Sequence, residues 1–177
     1  MTSSHTYHFF WSGPFSQWHP SAFVLDGQDF VTAEQAMMWK KAMLFDDTEI
    51  AAAIQEAQDP GKQKALGRRV RGFDEATWDA HKRQIVTEVS RAKYLQNKGL
   101  RRKLFQTAPN KLVEASPFDV IWGIGLDAAD AQNTAEQHWP GQNLLGQILT
   151  QVREELARDF PEEARACAAE PTEIGHD

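Results

Sequence analysis

Two carboxylates, two lysines and one tryptophan stand in surroundings that suit chemistry. Glu34 follows Thr32-Ala33 at the head of a segment rich in large apolar residues, in the first turn of an expected helix. An acid at that position also stabilises the helix dipole without any ligand. Asp119 stands before Val120-Ile121-Trp122-Gly123-Ile124-Gly125, a lone carboxylate beside apolar residues and a glycine-flexible loop. Against apolar surface a carboxylate's pKa rises and it can act as acid or base; a turn or cap role is the competing reading. Lys82 and Lys93 are eleven residues apart, close to three helical turns, so both project from nearly one face. Such a pair can hold a phosphate or pyrophosphate, although two solvated lysines would show the same spacing. Of the six tryptophans, Trp122 is the one expected to line a pocket; the others read as core or half-core.

Other catalytic signatures are missing. The chain carries no Walker loop, no GxSxG, no HExxH and no Cys/His cluster with metal spacing, and its six histidines are scattered. Neither a metal nor a cofactor is expected.

The elements that must position these groups are mostly helical. Tyr7 to Trp11 is aromatic and β-favouring, and Ala22–Leu25 and Gln28–Val31 flank Asp26-Gly27, a hairpin-turn dipeptide. Thr32-Ala33-Glu34-Gln35 reads as a capping box that opens a helix. Asp47 or Thr48 caps a second, and Asp59-Pro60 starts a third that stops near Gly67. Asp74 starts the longest, in which Trp78, Ile85, Val89 and Ala92 recur at helical spacing. A short helix covers Leu100 to Thr107, and Lys111 to Gly125 is irregular or briefly extended. Asn143 caps a final helix with an apolar stripe from Leu144 to Leu156. From Pro161 the chain is acidic, alanine-rich and expected to fray. These elements predict a mainly α fold with a minor β element: a flexible N-terminus over 1–6, one domain over 7–160, and a flexible acidic tail over 161–177.

The 177 residues are 41% hydrophobic and 25% charged, the mixture of a globular protein, with a net charge of −6. Between Lys62 and Lys103 stand 13 Lys/Arg against 4 Asp/Glu, a basic block in an acidic protein that suggests a local anionic partner. No apolar run is long enough to span a bilayer. The one cysteine, Cys167, and the absence of a signal segment fit a cytoplasmic setting.

Several pieces, in order, resemble the NADAR family of YbiA-like proteins. They are Phe15-Ser16-Gln17-Trp18-His19-Pro20-Ser21-Ala22-Phe23, Thr32-Ala33-Glu34-Gln35-Ala36-Met37-Met38-Trp39-Lys40-Lys41, and Ala65-Leu66-Gly67-Arg68. Trp78, Arg91-Ala92-Lys93-Tyr94, Leu112-Val113-Glu114-Ala115-Ser116, Asp119 to Gly125 and Gly141-Gln142-Asn143-Leu144-Leu145-Gly146 follow. The resemblance implies a YbiA-like helical fold and N-glycosidase activity. Such activity either takes ribose-phosphate from early riboflavin-pathway intermediates or removes ADP-ribose from modified guanine. It implies catalytic positions at Glu34, Lys93 and Asp119, with Trp122, Trp78 and Asn143 at the substrate; Gly123, Arg68 and Lys82 complete the expected binding set. Members acting on riboflavin intermediates often carry histidine after the glutamate and aromatics soon after. Gln35, Met37 and Met38 stand there in this chain, which favours ADP-ribose, on a nucleic acid or a free nucleotide. A module that binds ADP-ribose without cleaving it is the reading from another class.

Breaking a C1′–N bond develops positive charge on the ribose and negative charge on the departing base. One carboxylate can stabilise the former while another activates water or assists the leaving nitrogen. Lys93 would then contact phosphate or a ribose hydroxyl, Trp122 the base, and Arg68 with Arg69 the distal phosphate.

Overall fold

The computed structural model describes residues 6–170, so the expected flexible segment 1–6 (but for Thr6) and the tail beyond Glu170 lie outside the described residues. In chain order the elements are β1 (Tyr7–Phe10), β2 (Phe23–Leu25), β3 (Gln28–Phe30), α1 (Ala33–Leu44), α2 (Thr48–Glu56), α3 (Pro60–Gly67) and α4 (Glu75–Gln96). There follow α5 (Lys98–Gln106), β4 (Lys111–Glu114), α6 (Ala128–Gln132), a 3₁₀ turn (Glu136–His138), α7 (Leu144–Asp159) and α8 (Pro161–Ala169). The fold is mainly α with a minor β element, as the sequence predicts. Its contacts group into two units: residues 16–97, and the flanking segments up to Phe15 and from Lys98 onward. The span 7–160, expected as one domain, contributes to both.

In the 16–97 unit each helix starts where a polar cap accepts an orphan N–H. Thr32, Asp47, Asp59 and Asp74 accept from Gln35, Ile50, Lys62 and Thr77. The hairpin β2–β3 is antiparallel, pairing Phe23 with Phe30 and Leu25 with Gln28. Asp26 and Gly27 both take positive φ (51° and 74°), the left-handed pair a two-residue turn requires.

The capping box is only half formed. Thr32 Oγ1 accepts from the Gln35 N–H at 3.0 Å, but Gln35 turns its own side chain away from Thr32. Its Oε1 accepts from the Val31 N–H, and its Nε2 donates to the Ile54, Gln55 and Ala57 carbonyls at the end of α2. Gln63 of α3 joins this buried network, accepting from Thr32 Oγ1 and donating to the Ala57 carbonyl. Three helix ends are thereby tied around the first turn of α1.

In the other unit β1 pairs in parallel with β4, Tyr7 opposite Lys111 and Phe10 opposite Glu114. Leu145, Ile148, Leu149, Val152 and Leu156 of α7 form the expected buried stripe. A second cluster of Val113, Ala115, Ile124 and Ala131 is covered by Tyr7, Phe9 and Trp139. The expected fraying from Pro161 is corrected over the described part of the tail. Residues 161–169 form α8, which packs on α5 with Arg101 stacked over Phe160 at 4.1 Å and paired with Glu163 at 3.0 Å. Cys167, read as lying in a polar tail, is buried there.

Candidate active site

Glu34 occupies the second position of α1 and is 5% exposed. Its backbone N–H, an orphan donor of the helix start, is taken by the Gln17 carbonyl at 2.9 Å. Lys93, in the last turn of α4, is 1% exposed and sends Nζ to the Ser16 carbonyl at 3.1 Å, with the Tyr94 ring 5.1 Å away. Consecutive carbonyls of one loop thus hold the start of α1 and the end of α4, and bring Glu34 and Lys93 to the same stretch of chain. Burial pushes the Lys93 amine down to about 7. At neutral pH it can therefore give or accept a proton, which an ordinary lysine cannot.

Trp78 is half-buried near the start of α4, with Lys41 of α1 beside it, the ammonium 5.6 Å from the ring centre. Lys41 also donates to the Gly67 carbonyl at 2.9 Å, immediately before exposed Arg68. Sequence reading passed over Lys41. The signal was there: it lies seven residues after Glu34, two turns along one helix face. The expected lysine pair is not a shared grip, because Lys82 is bound to Asp79 at 2.7 Å while Lys93 is bound to the Ser16 carbonyl.

The other four expected site residues belong to the second unit. Asp119 Oδ1 accepts from the N–H groups of Ile121 and Trp122 at 2.9 and 2.8 Å, a turn-forming role. The carbonyls of Val120, Ile121, Trp122, Gly123 and Ile124 accept from the N–H groups of Gln142, Leu144, Leu145, Asn143 and Gly141. That belt fixes the Asp119–Gly125 loop and fills the N–H positions at the start of α7. Gly123 is needed for contact: a Cβ there would stand 2.9 Å from the Asp119 carbonyl oxygen and 3.0 Å from that of Glu114.

Asn143 stands at the N-cap of α7 in left-handed conformation, yet makes no side-chain cap bond. Instead its Oδ1 accepts from the Glu114 N–H and its Nδ2 donates to the Leu112 carbonyl, so it pairs with β4 as a strand would. Asn143 is thus the N-cap the sequence predicts, while its side chain serves β4 and not the helix start. The Asp119 loop still presents large apolar surface, with Phe118 84% exposed and tilted against Trp11 at 5.7 Å.

Among the described residues no group of three His, Cys, Asp or Glu is placed to hold a metal ion, and no helix is long and apolar enough to cross a membrane.

The NADAR domain model matches residues 9–157. An N-glycosidase of Acanthamoeba polyphaga mimivirus is 50% identical over 146 residues, covering 80% of this chain and 86% of that protein. The N-glycosidase YbiA of Escherichia coli is 31% identical over 145 residues, covering 82% of each chain. The NMR structure of the Escherichia coli protein YbiA superposes with a TM-score of 0.73 at 30% identity, over 89% of both chains. With that likeness extending over most of its length in sequence and in fold, the chain belongs to the NADAR family and is an N-glycosidase.

Proposed function

We propose that this N-glycosidase hydrolyses the C1′–N bond of a phosphorylated ribose compound, and that its substrate is ADP-ribose joined to guanine in a nucleic acid or nucleotide. The observation that carries the chemistry is the buried Glu34 held on the same two-residue stretch of loop as a lysine poised near neutrality. As the C–N bond lengthens, a carboxylate beside the ribose offsets the developing cation, and its burial strengthens that attraction. The Lys93 amine supplies or removes the proton that the leaving base and the water exchange. Asp119 is the second carboxylate of the proposal, Trp122 and Trp78 offer ring surfaces for a base, and Asn143 and Gly123 set the loop. Arg68 takes phosphate; Lys82, paired with Asp79, is the weakest member of the set.

ADP-ribose is favoured by charge. Lys62, Lys64, Arg68 and Arg69 are all exposed around α3, and none forms an ion pair among the described residues. That is more positive charge than one phosphate requires. The side chains at 35, 37 and 38 speak less to the substrate than their types suggested. Gln35, Met37 and Met38 are all buried, Gln35 on the α2 carbonyls and Met38 against Gly67.

The test is incubation with an oligonucleotide carrying ADP-ribosylated guanine, with mass spectrometry for released ADP-ribose. Glu34→Gln should fold normally and lose on the order of 10²-fold in rate. Full activity in that variant removes Glu34 from the mechanism. Cleavage of riboflavin-pathway intermediates in place of the oligonucleotide would reassign the substrate.

A further inference from the structure

The ammonium of Lys41 is enclosed on three sides by the protein. Nζ donates to the Gly67 carbonyl at 2.9 Å and stands 4.6 Å from the centre of the Phe73 ring and 5.6 Å from that of Trp78. Only one of the three N–H groups of an ammonium is used by the one hydrogen bond. Arg68 follows Gly67 directly, is exposed, and makes no side-chain hydrogen bond or ion pair among the described residues. The other partly buried lysines of the same unit that carry ion pairs are matched by acids, Lys40 by Asp26 and Glu88 and Lys82 by Asp79, as is Arg71 by Asp47 and Glu49. At Lys41 the balance differs. Burial and the neighbouring Arg68 push its amine below the ordinary range, and Glu34 alone acts in the other direction. An anion brought between Lys41 and Arg68 would relieve that imbalance.

We propose that Lys41 and Arg68 form a phosphate subsite that selects phosphorylated ribosides, with Glu34 two helical turns away at the ribose. Seven residues of helix rise about 10 Å, a span filled by a ribose with its 5′-phosphate or diphosphate. The ribose end rests on the glycosidase reading above; the phosphate end rests on the two cations alone. The Gly67 carbonyl and the Phe73 and Trp78 rings already hold the ammonium in place, so it loses little freedom when phosphate arrives.

Calorimetric titration of the full chain with inorganic pyrophosphate tests the subsite without any turnover. The wild type should bind, while Lys41→Met, which keeps an unbranched side chain and removes the charge, should weaken binding at least about tenfold, as loss of a charge-assisted contact does. Arg68→Gln should weaken it comparably, and Lys41→Arg should retain it, provided melting temperatures match the wild type. Equal binding by the wild type and Lys41→Met, or no binding by the folded wild type, overturns the proposal. A wild type that binds pyrophosphate yet releases nothing from ribosylated guanine refutes the substrate assignment and leaves the subsite standing.

Discussion

Asp119 shows how one side chain can carry two readings and how to separate them. Its Oδ1 supports the backbone of Ile121 and Trp122, and an asparagine oxygen can accept the same two bonds. Asp119→Asn therefore keeps the turn and removes only the charge. Steady-state kinetics should show a loss on the order of 10²-fold if the carboxylate is used in the reaction; unchanged kinetics would leave it a turn former. Asp119→Ala should in addition lower stability by about 0.5–2 kcal/mol, the range for a lost cap. Lys93 gives a pH prediction with a definite sign. Folded, its amine titrates near 7, whereas its ordinary value is 10.5. Between those values the unfolded chain holds the extra proton, so stability rises with pH across that window. Melting scans should show the wild type gaining on Lys93→Met from about pH 7 to pH 10.5; parallel curves would refute the shift. At this scale the sequence was partly legible. Glu34 was visible from its place in a capped first turn, but the burial of Lys93 needed the Ser16 loop, 77 residues away along the chain, to be in place.

The helices of the 16–97 unit were legible because their starts are written in single residues. Thr32, Asp47, Asp59-Pro60 and Asp74 each begin the helix expected of them. What the pattern could not show is how helices approach. Gly146 of α7 lies against β4, and a Cβ there would overlap both the Leu112 carbonyl oxygen and the Asn143 side chain. Gly67 of α3 faces the flexible Met38 side chain instead. Gly146→Ala should therefore destabilise by about 1–3 kcal/mol, the range for overpacking against atoms that cannot yield. Gly67→Ala should be milder, because a methionine can change rotamer. Urea unfolding of both variants checks the order; a larger loss at Gly67 would contradict it. Helix α8 escaped notice for a related reason. It is held by Arg101–Glu163, Arg102–Glu170 and a single buried cysteine rather than by an apolar stripe.

Over the whole molecule, composition predicted a helical globular protein, and the basic block from Lys62 to Lys103 predicted an anionic partner. The structure narrows that block. Lys93 and Arg101 are buried, and Arg71, Lys82 and Arg102 are paired with acids. Lys62, Lys64, Arg68 and Arg69 remain exposed together around α3, while the other exposed members, Arg83, Lys98 and Lys103, lie on α4 and α5. A footprint confined to the four cations around α3 implies that affinity for a single-stranded oligonucleotide falls with salt at a log–log slope of about −3. Fluorescence anisotropy across salt concentrations measures it; a slope near −8 would mean that far more of the surface binds nucleic acid. Net charge alone, at −6, would have argued for almost no such contact.

The parallel pairing of β1 with β4 has a consequence for how the chain is made. Tyr7–Phe10 leaves the ribosome about a hundred residues before Lys111–Glu114, its strand partner. The whole 16–97 unit is synthesised in that interval and can fold while the first strand waits. Until then an aromatic strand, Tyr-His-Phe-Phe, exposes an unpaired edge of the kind that templates aggregation. A nascent chain stalled before Lys111 would carry Glu34 and Lys93 together with that sticky strand. Stalled or truncated products should therefore depend on chaperones far more than the finished protein does.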